Sequence, residues 1–155
     1  MPVDNENVRV LDQRAATERA ERHAQTIGQA IGLGTASMRM DAGPMPYGPD
    51  EDIEHLPDGG YQPYQIALAG GIHDVPSDQL EPAVLRARER LRQAGWKIGR
   101  LLPATNGRSS TQLTGGTPED GFGFSIEALH DLSRLVISVV SPPYRHAPSA
   151  SPRAG

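Results

Sequence analysis

Cysteine is absent from the 155 residues. That excludes a disulfide framework, a thiolate zinc site and a cysteine nucleophile, and it leaves the redox state of the compartment unmarked. Aromatic side chains are scarce, with two Phe and one Trp to build a core. Lysine is nearly missing: Lys97 stands alone beside fourteen arginines. Together with the Ala, Gly and Pro usage this points to a high-GC source through codon bias and carries no mechanism. No run approaches the ~20 apolar residues of a membrane span. The opening Met1-Pro2-Val3-Asp4-Asn5-Glu6 lacks the basic-then-apolar pattern of a signal peptide. These absences place the chain in the cytoplasm by default, or at the envelope if an anchor has been trimmed away.

What is present is proline and glycine, fourteen and seventeen residues. That load argues against order throughout, and a folded centre of roughly 90–120 residues suits the usual domain size. The expected layout is a flexible N-terminus at 1–10, one α+β domain at 11–141 and a disordered Pro/Ser/Ala-rich tail at 142–155. A net charge of −4 opposes general nucleic-acid affinity, which needs an excess of basic groups to displace counterions.

Helical periodicity runs from Leu11 to about Ile31, where Ala16, Ala20, Ala24, Ile27 and Ile31 form one stripe. Asp12 is the expected N-cap, and Gly32 and Gly34 close the segment. Thr35–Asp41 alternates like a half-buried strand. Residues 42–62 are rich in Gly, Pro and acid and are expected to form a long loop, functional or disordered. Tyr64–Ala69 alternates again. A second helix over Ser77–Ala94 carries Leu80, Val84, Ala87, Leu91 and Ala94 on one side. Pro82 is expected in its first turn, where a missing N–H costs little, and Gly95 ends it. Trp96–Leu102 is a strand, Ser110–Thr114 a possible one, and Gly121–Leu129 and Arg134–Val140 form a terminal hairpin around His130-Asp131. The order is α-β-β-α-β-(β)-β-β. Alternating strands need one wet face, so the fold class is α+β, an antiparallel sheet with both helices on one face.

Chemistry-bearing groups are dispersed. Asp50, Glu51, Asp52, Glu54 and His55 bunch oxygen ligands that suit a hard cation, yet their spacing is not that of an EF-hand, and a solvated charged loop is the first reading. Arg86, Arg88, Arg90 and Arg92 lie on the second helix, with Arg86 and Arg90 on one face and Arg88 and Arg92 on another. With Lys97, Arg100 and Arg108 they form a local basic excess, either a partner surface for an acidic group, an ordinary solvent face, or the counterpart of the acidic loop within the molecule. Gly28, Gly32 and Gly34 close a helix rather than opening one, so they are not a dinucleotide fingerprint. His23, His55, His73, His130 and His146 show no metal-binding spacing, and His73-Asp74 with Ser77 nearby is adjacency without geometry. Pro142-Pro143-Tyr144 begins an extended recognition segment or a disordered tail.

Ala94-Gly95-Trp96, Pro118-Glu119-Asp120-Gly121-Phe122 and Ser141-Pro142-Pro143-Tyr144 together resemble small actinobacterial proteins, many of them membrane-anchored or lipoprotein-like, over residues 60–145. The resemblance implies the same α+β fold and carries no activity or site residues. The chain departs from it in lacking the cysteine near the final Ser-Pro step and the N-terminal anchor.

The expectation is therefore a non-enzymatic binding or accessory module with a protein partner, Arg86, Arg88, Arg90 and Arg92 being its candidate surface. No catalytic, metal or cofactor residues are assigned and the oligomeric state is open. The alternative is a small-ligand binder or enzyme whose site is assembled in the fold under the 42–62 loop, with His55 or His73 beside carboxylates. Nucleic-acid binding through the basic helix is a third reading.

Overall fold

Asp12 starts the first helix as expected: its side chain accepts from the Ala15 N–H at 2.7 Å, and α1 runs Gln13–Ile31. This computed structural model of the chain describes residues 9–33, 38–104 and 110–146. Gly32 ends α1 at φ 77°, a left-handed conformation that glycine adopts without strain. The stripe Ala16, Ala20, Ala24, Ile27, Ile31 is fully buried, and its small side chains let the helix sit close to its support.

The second helix, α2, spans Ser77–Gln93 and buries Leu80, Ala83, Val84, Ala87 and Leu91, while Ala94, expected in the same stripe, is the exposed C-cap because the helix stops one residue before it. Pro82 lies in its second turn rather than the first. The lost bond is to the carbonyl of Asp78, an exposed residue on the solvent side of the helix, where a missing partner costs least.

The described residues hold ten strands: β1 (Arg9–Val10), β2 (Arg39–Pro46), β3 (Glu54–His55), β4 (Tyr61–Gln62), β5 (Tyr64–Ile72), β6 (Lys97–Leu102), β7 (Ser110–Gly116), β8 (Gly123–Leu129), β9 (Arg134–Val140) and β10 (Tyr144–Arg145). The main sheet has eight strands among the described residues: β2-β5-β9-β8-β7-β6 pair antiparallel in that order, β10 joins β5 antiparallel at Tyr64, and β1 adds to β10 in parallel. β3 and β4 form a separate small hairpin. One face of the sheet is closed. Ile66, Leu68, Leu113, Phe124, Ile126, Ile137 and Val139 share one core with the apolar stripes of both helices. α1 lies over β2, β5 and β9, and α2 lies over β6, β7 and β8. The alternation of buried and half-buried positions along β8 and β9 leaves the opposite face to solvent.

Two boundaries differ from expectation. Residues 42–62 are not a loop throughout: β2 continues through Pro46, then come a short 3-10 turn at Asp50–Asp52 and the β3–β4 hairpin. β2 is an edge strand, which tolerates Pro44 and Pro46 because an edge offers backbone donors that need no ladder partner. Residues 142–146 are not a free tail either. Tyr144 is fully buried, and β10 pairs with Tyr64 on one side and in parallel with β1 on the other. Ser141 fastens the junction: Ile66 N–H donates to its Oγ at 2.8 Å, and its own N–H donates to Ile66 O at 2.9 Å. The Tyr64 hydroxyl then donates to the carbonyl of Leu11, so Arg9–Leu11 is docked as well. Of the strand expected at Thr35–Asp41, residues 39–41 belong to β2 and residues 35–37 lie outside the described residues, as does the tail from 147.

Candidate functional site

Strand pairing carries the open face across the sheet in rows. One row is Arg39, Gly71, Val136, Glu127, Gln112 and Leu102; the next is Asp41, Ala69, Ser138, Ser125 and Thr114. A third is Gly43, Ala67, Val140, Gly123, Gly116 and Lys97. No aromatic side chain stands in these rows, and near β5 the residues are glycine or alanine. The backbone is therefore close to the surface there, and the long side chains at the margin stand up around it.

At the corner of β2, β5 and β9 this contrast makes a concavity of about 510 Å³. Ala69 and Gly71 are its floor, and Arg39, Asp41, His73 and Arg134 form its walls. The Nε of Arg134 is buried and has no hydrogen-bond partner among the described residues. A buried donor left unpaired is costly, and a guanidinium donor more so. Neither Arg39, Asp41 nor Arg134 enters an ion pair among the described residues.

The rim is held by two turns in contact. Asp74 and Ser133 both take left-handed conformations, at φ 58° and φ 51°, and the Val75 N–H donates to Ser133 O at 2.8 Å. Such strain persists only where the surroundings impose it. A smaller hollow of about 240 Å³ opens on the other side of His73, against Asp74 and Pro76. His73 thus divides two depressions at one end of the sheet. No hydrogen bond joins it to Asp74 or Ser77, so their adjacency in sequence makes no Ser-His-Asp relay. The groups gathered here, two guanidinium ions, an imidazole and one carboxylate over a flat apolar floor, suit the grip of a planar or tetrahedral oxyanion.

The four arginines of α2 are divided by the fold. Arg86 donates Nε–H to Ile31 O at 2.8 Å, and Arg90 reaches Gln29 O and Ala30 O at 3.4 and 3.5 Å. Both therefore cap the C-terminus of α1. Arg92 bonds Glu89 on its own helix at 2.7 Å, and that bond holds the Glu89 carboxyl below its usual range. Arg88 is left without an ion pair among the described residues. Asp50, Glu51, Asp52, Glu54 and His55 are all exposed, and no ion pair among the described residues joins them to α2. No group of three His, Asp or Glu side chains converges as a metal-ligand set among the described residues. Residues 42–62 line neither hollow beside His73, so that segment is not a lid over them. His130 bonds Thr111 at 3.2 Å, and His146 stacks on Tyr64 while pairing with Tyr61 O. The buried Tyr144 takes Pro142-Pro143-Tyr144 out of reach as a recognition segment.

One constellation has no trace in the sequence. His23 of α1 meets Asp120, 97 residues away, at 2.7 Å. The imidazole is held edge-on by Trp96 and Phe122, with ring centroids at 5.6 and 4.8 Å. Thr117 donates its hydroxyl to the other oxygen of Asp120 and accepts the Phe122 N–H at 3.0 Å. Burial opposes ionisation of Asp120, but the hydrogen bonds from Thr117 and His23 outweigh it and hold its carboxyl below the ordinary range. Helical spacing shows that His23 borders the apolar stripe of α1, but pairing at this separation is set by the fold alone.

Comparison of the chain with protein-family models, with curated proteins and with solved structures gave no match.

Proposed function

We propose that this chain is a non-enzymatic binding module that takes a protein partner on its open sheet face, with Arg39 and Arg134 gripping an acidic side chain of that partner. The observation that carries this reading is the buried, unpaired Nε of Arg134 at the wall of the concavity. A carboxylate set between the two guanidinium groups supplies the acceptor that the folded chain does not. The row of small side chains beside it lets a partner approach the backbone closely, as interface centres require.

The surface of α2 supports the reading less well. Its arginines are largely engaged within the molecule, and Arg88 alone among the four stands free of such bonds. A second reading is favoured by the volume of the concavity, which falls in the range of small-molecule sites: a small oxyanion-bearing ligand on the same groups.

A photoactivatable residue placed at Ser138, in the middle of the open face, tests the proposal against a second one placed at Arg88. The expected result is a protein adduct from Ser138 that disappears when Arg134→Gln is added. An adduct from Arg88 alone transfers the site to α2. No adduct from either position removes the protein-partner reading and leaves the small ligand.

A further inference from the structure

We infer that the hollow between α1 and the β7–β8 turn is a second binding site, one that takes a small molecule through a carboxylate or phosphate oxyanion. This hollow has a volume of about 350 Å³ and lies at the opposite end of the sheet strands from Arg134. The inference rests on separate residues from the open face.

Arg19 and Arg22 stand one helical turn apart on α1, a spacing that brings side chains together, and both line the hollow. Glu119 and Asp120 line it too, yet no ion pair joins either arginine to them among the described residues. The reason lies in the turn. Both oxygens of Asp120 are engaged, one by Thr117 and one by His23. Its charge is turned to the wall, and the two guanidinium groups remain available to something else.

Two guanidinium groups one helical turn apart present several N–H donors in fixed forks to one oxyanion. His23 acts as a positioning residue here: gripped by Trp96, Phe122 and Asp120, it makes the wall rigid. Glu119 is exposed at the mouth, where its carboxylate can accept from a donor group carried by the same ligand.

Inorganic phosphate and succinate, titrated separately against the whole chain and followed by backbone amide shifts, test the site. Saturating shifts confined to residues 19–23 and 117–122 are expected for at least one probe, and the one that binds identifies the oxyanion class. Arg19→Gln with Arg22→Gln should weaken that probe at least about tenfold, the loss of two charge-assisted bonds. Arg134→Gln should change nothing here. Absence of shifts at those residues with millimolar phosphate and succinate, or equal binding by the double-arginine variant, overturns the inference.

Discussion

Arg86 on α2 donates to the carbonyl oxygen of Ile31, the last residue of α1, across 55 positions of sequence. The last carbonyls of a helix have no partner of their own, and they carry the negative end of its dipole. A cation from the neighbouring helix satisfies both needs at once. Gly32 makes this possible: a Cβ there would lie 2.9 Å from Arg86 Nε and 2.9 Å from Arg90 Nη1.

Arg86→Met should therefore lower stability by about 1.5–3 kcal/mol, the range for a charge-assisted bond to a buried acceptor. Arg90→Met, whose contacts are longer, should cost less than ~1 kcal/mol. Urea unfolding measures both. Equal midpoints for Arg86→Met and the wild type would mean that water caps the helix as well as the guanidinium does.

Two glycines separate folding from recognition. A Cβ on Gly115 would stand 2.3 Å from Lys97 O, so Gly115→Ala must push strands β6 and β7 apart, at about 2–3 kcal/mol. A Cβ on Gly71 meets nothing nearer than 3.4 Å. Gly71→Ala should leave stability within ~1 kcal/mol of wild type while raising the floor of the open-face concavity. Thermal unfolding in parallel with the crosslinking yield from Ser138 distinguishes the two effects.

The pairing of Asp120 has a pH signature with a definite sign. Its folded carboxyl is held low, after burial is offset by Thr117 and His23. The contribution to stability is thus complete above the unfolded carboxylate value of ~4 and is lost as pH falls through the lower folded value. The melting temperature of Asp120→Asn should accordingly fall less steeply than that of wild type below about pH 4. Parallel curves for the two proteins would show that Asp120 gains nothing from its partners.

Tyr144→Ala should cost about 3–5 kcal/mol, the range for emptying a large buried aromatic site. A tail free in solution predicts no change. Denaturant titration decides between them.

Much of the frame was legible in the residues. The stripes of α1 and α2, the cap at Asp12, the stop at Gly32 and the β8–β9 hairpin all follow from local spacing. What local spacing missed was set by distant partners. Pro44 and Pro46 suggest a loop until β5 supplies the one neighbour that β2 needs. Ser141-Pro142-Pro143 looks like the start of a tail until Ile66 claims both the backbone and the hydroxyl of Ser141. Similarly, Arg86 and Arg90 form part of a surface charge in the sequence and of a helix cap in the fold. The candidate sites were least legible of all, since Arg134 and Asp120 gain their meaning from β2, α1 and a turn far from them in the chain.

The two margins of the sheet bear on how this protein can meet others. At one margin Pro44 and Pro46 delete two amide donors from β2. At the other, β6 shifts register between Ile98 and Leu101, and it carries Lys97 and Arg100. Neither margin offers the long, even ladder that a visiting strand requires, so β-augmentation and stacking of copies edge to edge are both discouraged. Association is left to side chains, which confines selectivity to a few positions that substitution can change without unmaking the sheet.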